Sequence, residues 1–512
     1  MKSVNRVAIN SGILYFKSVI TITITLYSTR LILNALGVLD FGIYSLVSGV
    51  VLMLSFLNTA MSSSTQRYLS YYFGKNELSM QQRVFSNSLL LHIVIAIFLS
   101  VLLFIAGFFL FDGFLNIPLE RVETAKWVYY FMIISVFFTI ISVPFTASIN
   151  ANEDMIVSAI VNTVEVLLKL SIALLLFTIT LDRLFIYALL IAVSNVLAAT
   201  AYLIFSIKKY DECDFKLFKN KDDALLKELS FFAGWNLFGT LSFLSRQHGL
   251  AIILNIFFGA AINAAYSIAY QVAGQLTFLS ATMLSTLNPQ IMKSEGAGDR
   301  ERMLRISSLA SKLCFFLVAI LAIPLYFHME YVLTIWLNVV PKYTAEFCKL
   351  ILIYMLIYQW SVGIMSAVQA IGNIKVYQTV VGLIQVLMLP ITYLLMWLGY
   401  DATYVLYLLI GLEILSFIFR VCFLNIMTKH SKIEYIKEVV ILTVFPLIIT
   451  LVLIIIVNQY IVSDLSSLLI NILIVAVLFS VTFYFISLSK PQKLLINNLF
   501  EAIAERVKRK VI

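Results

Sequence analysis

Eight ionisable side chains fall inside long apolar runs: Lys17, Arg30, Lys169, Arg246, His248 and Arg420 are basic, Glu165 and Glu413 acidic. A charge near the centre of a bilayer costs at least ~2.5 kcal/mol, so such groups turn to a bundle interior or a wet cavity, or pair with one another. The cations outnumber the carboxylates even with His248 neutral. That imbalance suits an anionic ligand, with phosphate or pyrophosphate oxygens held by charge-assisted hydrogen bonds. Glu165 and Lys169 stand four apart with Glu first, the spacing of a local helical ion pair. Arg420 follows Glu413 by two turns near the inner end of its run and is expected to snorkel to the interface, as is Lys17. Arg30 and the Arg246-Gln247-His248 cluster have no acidic neighbour in sequence and are the leading cavity candidates. Asn263, Ser267, Gln271 and Gln275 recur every four residues and form one polar stripe on a helix, which adds Gln271 and Gln275 to the cavity set alongside His248 and Lys169. Glu165 and Glu413 are the candidates for coupling to an ion, H+ or Na+, with no other cofactor expected.

The elements that position these groups are membrane helices. The chain has 512 residues, 61% hydrophobic and 12% charged, with a mean hydropathy of +0.98; soluble domains carry about 25% charged residues. The apolar runs have the length of roughly 20 residues that an α-helix needs to cross hydrocarbon. Fourteen spans are expected, at approximately 10–36, 41–65, 86–111, 126–149, 155–179, 184–207, 231–256, 262–287, 309–328, 345–371, 376–398, 402–427, 437–458 and 466–488. The first run is too long for a cleaved secretory signal and is expected to stay as an anchor.

Charge placement sets the orientation. Of 36 Lys and Arg, five lie within spans (Lys17, Arg30, Lys169, Arg246, Arg420) and five in one set of gaps (Arg121, Lys126, Arg183, Lys342, Lys349); the remaining 26 lie in the other set. The positive-inside rule puts the 26 and both termini on the cytoplasmic side. The net charge of +9 is then explained by topology and an anionic leaflet, not by nucleic acid. No gap on the outer side is long enough to house a glycosyltransferase-like site, and no P-loop, Ser-His-Asp set or HExxH motif is present, so no enzymatic activity is expected. Cys213, Cys314, Cys348 and Cys422 have no metal-binding spacing, and no metal site is expected.

The chain also repeats. Shifted by 222 positions, 37–92 aligns without a gap on 259–314, pairing among others Gly37 with Gly259, Tyr44 with Tyr266, Met61 with Met283, Gly74 with Gly296, Arg83 with Arg305 and Ser86 with Ser308. A second echo at 220 pairs Ala147, Val166 and Leu174 with Ala367, Val386 and Leu394. Such periodicity marks two copies of one unit. The expected organisation is a six-helix N-lobe at 1–207, a linker at 208–230, a six-helix C-lobe at 231–430, and two extra spans with a basic tail at 431–512. An even number of spans per copy makes the repeat parallel, with a pseudo-two-fold axis along the membrane normal. The segment Leu494–Arg509 could lie on the inner surface as a short amphipathic helix.

The stretches RLILNALGVLDFGIYSLVSGVV (Arg30–Val51) and SSSTQRYLSYYFGK (Ser62–Lys75) resemble the start of the polysaccharide repeat-unit flippases, the O-antigen (Wzx-type) exporters, in the superfamily that also holds the MATE drug antiporters and the lipid II flippases. The resemblance covers the whole chain in architecture and implies an all-α, MATE-like fold with a cationic central cavity. It implies translocation of undecaprenyl-pyrophosphate-linked oligosaccharides from the inner to the outer leaflet of a bacterial inner membrane, for O-antigen, capsule or exopolysaccharide biosynthesis, among membrane lipids and other glycan-assembly membrane proteins. Two pseudo-symmetric lobes in one chain make a monomer the default. The alternative is a MATE-type exporter of drugs or small cations. Spans 1 and 2 contain no acidic residue of the kind proton-coupled drug antiporters often use in the first helix; Asp40 lies in the outer turn. Arg30 alone falls short of the several cavity arginines of lipid II flippases.

Overall fold

A computed structural model describes residues 55–114, 117–214, 220–337, 340–459 and 465–493, with scattered positions from 21 to 48. The helices are α1 (Ser55–Gly74), α2 (Leu78–Phe109), α3 (Val122–Ala151), α4 (Met155–Leu175), α5 (Arg183–Lys209), α6 (Asp223–Gly296), α7 (Arg300–Phe327), α8 (Met329–Leu337), α9 (Thr344–Ile371), α10 (Lys375–Trp397), α11 (Tyr404–Thr428), α12 (Lys432–Asn458) and α13 (Leu465–Ser487). No strand occurs among the described residues. Hydrocarbon offers backbone groups no water, so helices that satisfy their own N–H and C=O groups are the stable spanning form. Eleven helices among the described residues are long and apolar enough to cross a membrane. Parts of the expected spans at 10–36 and 41–65 lie on undescribed positions. Several helices overrun their spans: α2 begins at Leu78 and α7 at Arg300, because polar side chains can continue a helix into the interface after the apolar run ends.

The expected spans at 231–256 and 262–287 share one helical run, the 74 residues of α6. A straight helix would separate Gln247 from Tyr266 by about 28 Å. The Tyr266 hydroxyl instead donates to the Gln247 carbonyl at 3.4 Å, and Leu250 and Leu254 share a buried cluster with Ile262, Ala265 and Ala269. The axis therefore doubles back between Gln247 and Tyr266, and α6 provides two antiparallel arms.

The described residues form two compact units, one within 9–237 and the other within 238–512. Helix boundaries recur between them in the register of the sequence repeat. Starts at Leu78 and Val122 recur 222 positions later at Arg300 and Thr344, and the start of α4 at Met155 recurs 220 later at Lys375. The turn after Gly74 recurs in full. Glu77 N–H donates to Tyr72 O (3.1 Å) and Asn76 N–H to Phe73 O (3.1 Å); Asp299 N–H donates to Ser294 O (2.9 Å) and Gly298 N–H to Glu295 O (3.0 Å). This 6→1, 5→2 pair of bonds satisfies the last helical carbonyls and needs a left-handed residue. Asn76 (φ 56°) and Gly298 (φ 77°) fill that place, the two residue types that tolerate it best.

In the 9–237 unit, the stretch after α5 is tied to α2 and α3. Asn87 is the centre: its side chain donates to Asn220 O at 2.8 Å and accepts from Asp222 N–H at 2.9 Å. Glu212 accepts from Ser148 and Asn152 at 2.5 and 2.6 Å. Thr65 and Ser88 join α1 to α2 at 2.6 Å, so this part of the polar end at 58–66 serves interhelical hydrogen bonding.

In the 238–512 unit, α12 and α13 pack on α7 through Phe315, Ile323, Ile454, Phe479 and Phe483. Lys312, one of the cations assigned to the cytoplasmic gaps by sequence, is fully buried there, 3.2 Å from Gln492 Oε1 and 3.5 Å from Glu438 Oε1. Its place is set by tertiary partners more than a hundred residues away. The α7–α9 contact is close because Gly363 lacks a side chain. A Cβ there would lie 2.0 Å from Ser307 O and 2.7 Å from Ser311 Oγ, and the Gly363 N–H donates to Ser311 Oγ at 2.9 Å. Small residues allow such approach in membranes, where dispersion and hydrogen bonding drive helix association. Gly363→Ala is expected to cost about 1–3 kcal/mol through overpacking and to lower the melting temperature of the solubilised protein, whereas Gly411→Ala, which meets open space, leaves it unchanged. Equal melting temperatures for the two variants would show that the α7–α9 contact yields without cost.

Candidate functional site

Three intramembrane charges of the 238–512 unit, Arg246, Glu413 and Arg420, converge on one buried cluster. Glu413 and Arg420 lie seven apart on α11, which returns a residue to nearly the same face after about 10.5 Å. Arg420 Nη1 donates to Glu413 Oε1 at 2.6 Å, and both side chains are 1% exposed. The expected snorkelling of Arg420 is corrected here. In an α-helix the Cα–Cβ bond tilts toward the N-terminus, so the guanidinium leans back along α11 into the unit and meets Glu413 instead of the interface.

Arg246, on the first arm of α6, is buried and donates from Nη2 to the Tyr354 hydroxyl of α9 at 3.0 Å. Its guanidinium stacks 5.0 Å from the Phe243 ring and 5.5 Å from that of Tyr354, a cation–π arrangement that gains strength where water is excluded. Arg246 and Glu413 line the same narrow crevice with Gln385, Ser416, Ile384, Met388 and Leu412. Tyr358 lies below Arg420 with its ring centroid 6.0 Å away. The cluster thus holds two guanidiniums and one carboxylate, a net positive interior. Buried polar atoms there without a hydrogen-bond partner include Arg246 Nε, Arg420 Nε and Gln385 Oε1. Unmet donors on buried charges are costly, and on both arginines they are available to another acceptor.

The remaining candidates are elsewhere. Arg30 and Lys17 lie outside the described residues. Lys169 and Glu165 make the local i,i+4 pair at 2.5 Å, both part-exposed. His248 is exposed; two helical positions from Arg246, it points away from the cluster. Gln271 and Gln275, with Ser267, are exposed along the second arm of α6, while Tyr266 on the same arm is buried. Amides left in hydrocarbon would lack partners, so that face needs polar surroundings. Among the described residues no group of three or more His, Cys, Asp or Glu is arranged to hold a metal.

Sequence alone did not single out Tyr354, Tyr358 or Gln385. Tyrosines in an apolar run look like core or interface residues, and 108 positions separate Arg246 from Tyr354.

Comparison with known proteins agrees with this architecture. The MatE family model matches residues 15–175. The chain is 24% identical over 322 residues to the uncharacterized membrane protein EpsK of Bacillus subtilis (strain 168), a match covering 62% of this chain and 63% of that protein; the chain therefore matches less than two thirds of this curated relative's length. An outward-facing multidrug resistance MATE transporter of the MOP superfamily superposes with a TM-score of 0.70 at 14% identity, covering 84% of this chain and 97% of that one. A MOP superfamily transporter from Pyrococcus furiosus, described with a binding pocket of reverse polarity, gives 0.68 at 13% with the same coverage. The MATE transporter ClbM in complex with Rb+ gives 0.67 at 15%, covering 81% and 94%. The chain carries a MatE segment and has the all-helical, multi-pass fold of the MATE transporters.

Proposed function

We propose that this protein is a flippase for lipid-linked oligosaccharides, moving undecaprenyl-pyrophosphate-bound repeat units across a bacterial inner membrane by alternating exposure of a basic interior. The observation that carries the reading is the buried Arg246–Glu413–Arg420 cluster, whose charge is net positive and whose arginines keep unmet donors. A guanidinium presents its donors in a planar fork matched to phosphate oxygens, so the cluster favours an anionic headgroup over an organic cation. The exposed Ser267, Gln271 and Gln275 supply the hydroxyl and amide groups that sugar hydroxyls need, and the stiff repeat scaffold supplies a frame for rocking motion. The termini are placed in the cytoplasm by the lysine and arginine distribution. Glycan-assembly membrane proteins are the fitting neighbours.

A second reading is export of a drug or small cation. It draws on Glu413, the buried carboxylate of the cluster. Arg420 already neutralises that carboxylate at 2.6 Å, which leaves a cation no net attraction there.

The test is flipping in liposomes reconstituted with the full chain and a fluorescent undecaprenyl-pyrophosphate oligosaccharide. The native protein is expected to move the probe between leaflets. Arg246→Ala is expected to lower the rate at least about tenfold with unchanged membrane abundance, since losing a charge-assisted contact costs about 1.5–3 kcal/mol. Native-like flipping by Arg246→Ala would remove Arg246 from the route. Export of an organic cation by the native protein, with no movement of the glycolipid, would establish the second reading.

A further inference from the structure

Glu413 occupies the place that an anionic ligand of this cluster would take. It is the one carboxylate among the described residues of the cluster, it accepts from Arg420 at 2.6 Å, and it shares the crevice with Arg246. That crevice is too narrow to admit a water molecule, so the carboxylate itself fills the anion position. The fit is incomplete, because the Nε donors of both arginines are buried without acceptors. A carboxylate brings two oxygens; a phosphate brings more, at higher charge, in a geometry that forks of guanidinium donors match. Each unmet donor on a buried charge costs about 1–3 kcal/mol, which a bound acceptor would recover.

We infer that Glu413 is a resident counter-anion, and that its protonation opens the cluster to the phosphate oxygens of an incoming ligand. Ionised, Glu413 holds Arg420 and bars the site. Protonated, it keeps no charge to offset the guanidiniums, and the phosphate group takes its place on Arg246 and Arg420. Loss of the proton returns Glu413 to Arg420 and expels the anion. Binding of the anion and uptake of a proton are then linked, each strengthening the other by the same factor. This rests on the reading of an anionic substrate and adds a proton to what the cluster takes up with it.

The groups facing Glu413 leave it as the titrating member. From α6 comes Arg246, with Tyr270 beside it, from α9 Tyr354 and Tyr358, from α10 Tyr377 and Gln385, and from its own helix Ser416 and Arg420. Arginine and tyrosine ordinarily titrate at about 10 or above, and the amide and hydroxyl do not titrate in the physiological range. Lys312 and Glu438 are paired with each other, outside this cluster.

The test uses the purified full chain in detergent, titrated calorimetrically with inorganic pyrophosphate at two pH values and in buffers of different ionisation enthalpy. The native protein is expected to take up about one proton more per bound pyrophosphate than Glu413→Gln, and Glu413→Gln is expected to bind about tenfold tighter than native at pH 8, within the range of couplings seen between linked sites. Glu413→Asp, which keeps a titrating carboxyl with a shorter reach, is expected to retain the extra proton and guards against a variant that does not fold. Farnesyl pyrophosphate forms a second arm. Proton-linked binding of both probes makes phosphate chemistry alone sufficient, and binding of the farnesyl form alone assigns the site to a lipid headgroup. Equal proton uptake in native and Glu413→Gln, or binding of neither probe, overturns the inference. If the native protein still flips the glycolipid in liposomes in that case, the transport reading stands and only the counter-anion role is lost.

Discussion

A charge buried in hydrocarbon must be answered by another, and the interior of the 238–512 unit is arranged around that requirement at Glu413. The answer comes first from its own helix. Two turns bring Arg420 back to the same face, and the backward lean of helical side chains carries its guanidinium toward Glu413. One pair alone would be neutral. Arg246 adds a second cation from α6, and the tyrosines of α9 surround both with hydroxyls and ring faces. Replacing a buried pair by apolar residues is often neutral or stabilising, whereas removing one partner costs about 3–5 kcal/mol. Stability alone therefore gives little reason to retain three charges here.

The two copies share a scaffold and differ inside. α5 starts at Arg183 and α11 at Tyr404, 221 positions apart. In that register Glu413 and Arg420 correspond to Ala192 and Ala199, both buried. Tyr354, 222 positions after Met132, has no hydroxyl counterpart either. The repeated turns at Asn76 and Gly298 show that backbone geometry is held where helices must reverse, because a left-handed position tolerates few residue types. Interior side chains carry no such constraint, and one copy has acquired a polar cluster where the other packs alanine.

The same distinction explains what could be read from the chain. Helix starts and the shared turn follow from local rules, the end of an apolar run and the special φ of Asn76 or Gly298, and the repeat register reports them to the residue. The local pair of Glu165 and Lys169 is legible for the same reason: four positions on one helix need no knowledge of the fold. Arg420 was harder. Its proximity to the end of its run suggested snorkelling, and only the direction of its Cα–Cβ bond reverses that. Arg246 stood out as a charge without a sequence neighbour, but its partner Tyr354 lies on another helix, and no periodicity connects them. Lys312 shows the converse. A lysine near a span end counted toward topology, while its burial depends on Glu438 and Gln492 from segments that arrive far later in the chain.

α6 joins these two levels. Its first arm carries Arg246 into the cluster, and its second arm presents Tyr266 and Tyr270 on one side with Ser267, Gln271 and Gln275 exposed on another. The two tyrosine rings stand 4.6 Å apart, so they form one aromatic layer. The exposed amides require water on their face, because hydrocarbon offers them no partner. On the proposed reading that face is wet, and the tyrosine layer of the same arm adjoins Arg246. Rotamer changes in two tyrosines are far less costly than separating packed helices such as α7 and α9, whose backbones touch at Gly363. On the proposed reading, access to the guanidiniums from that face is limited by side-chain rearrangement along α6, since the α7–α9 contact at Gly363 leaves no room to open.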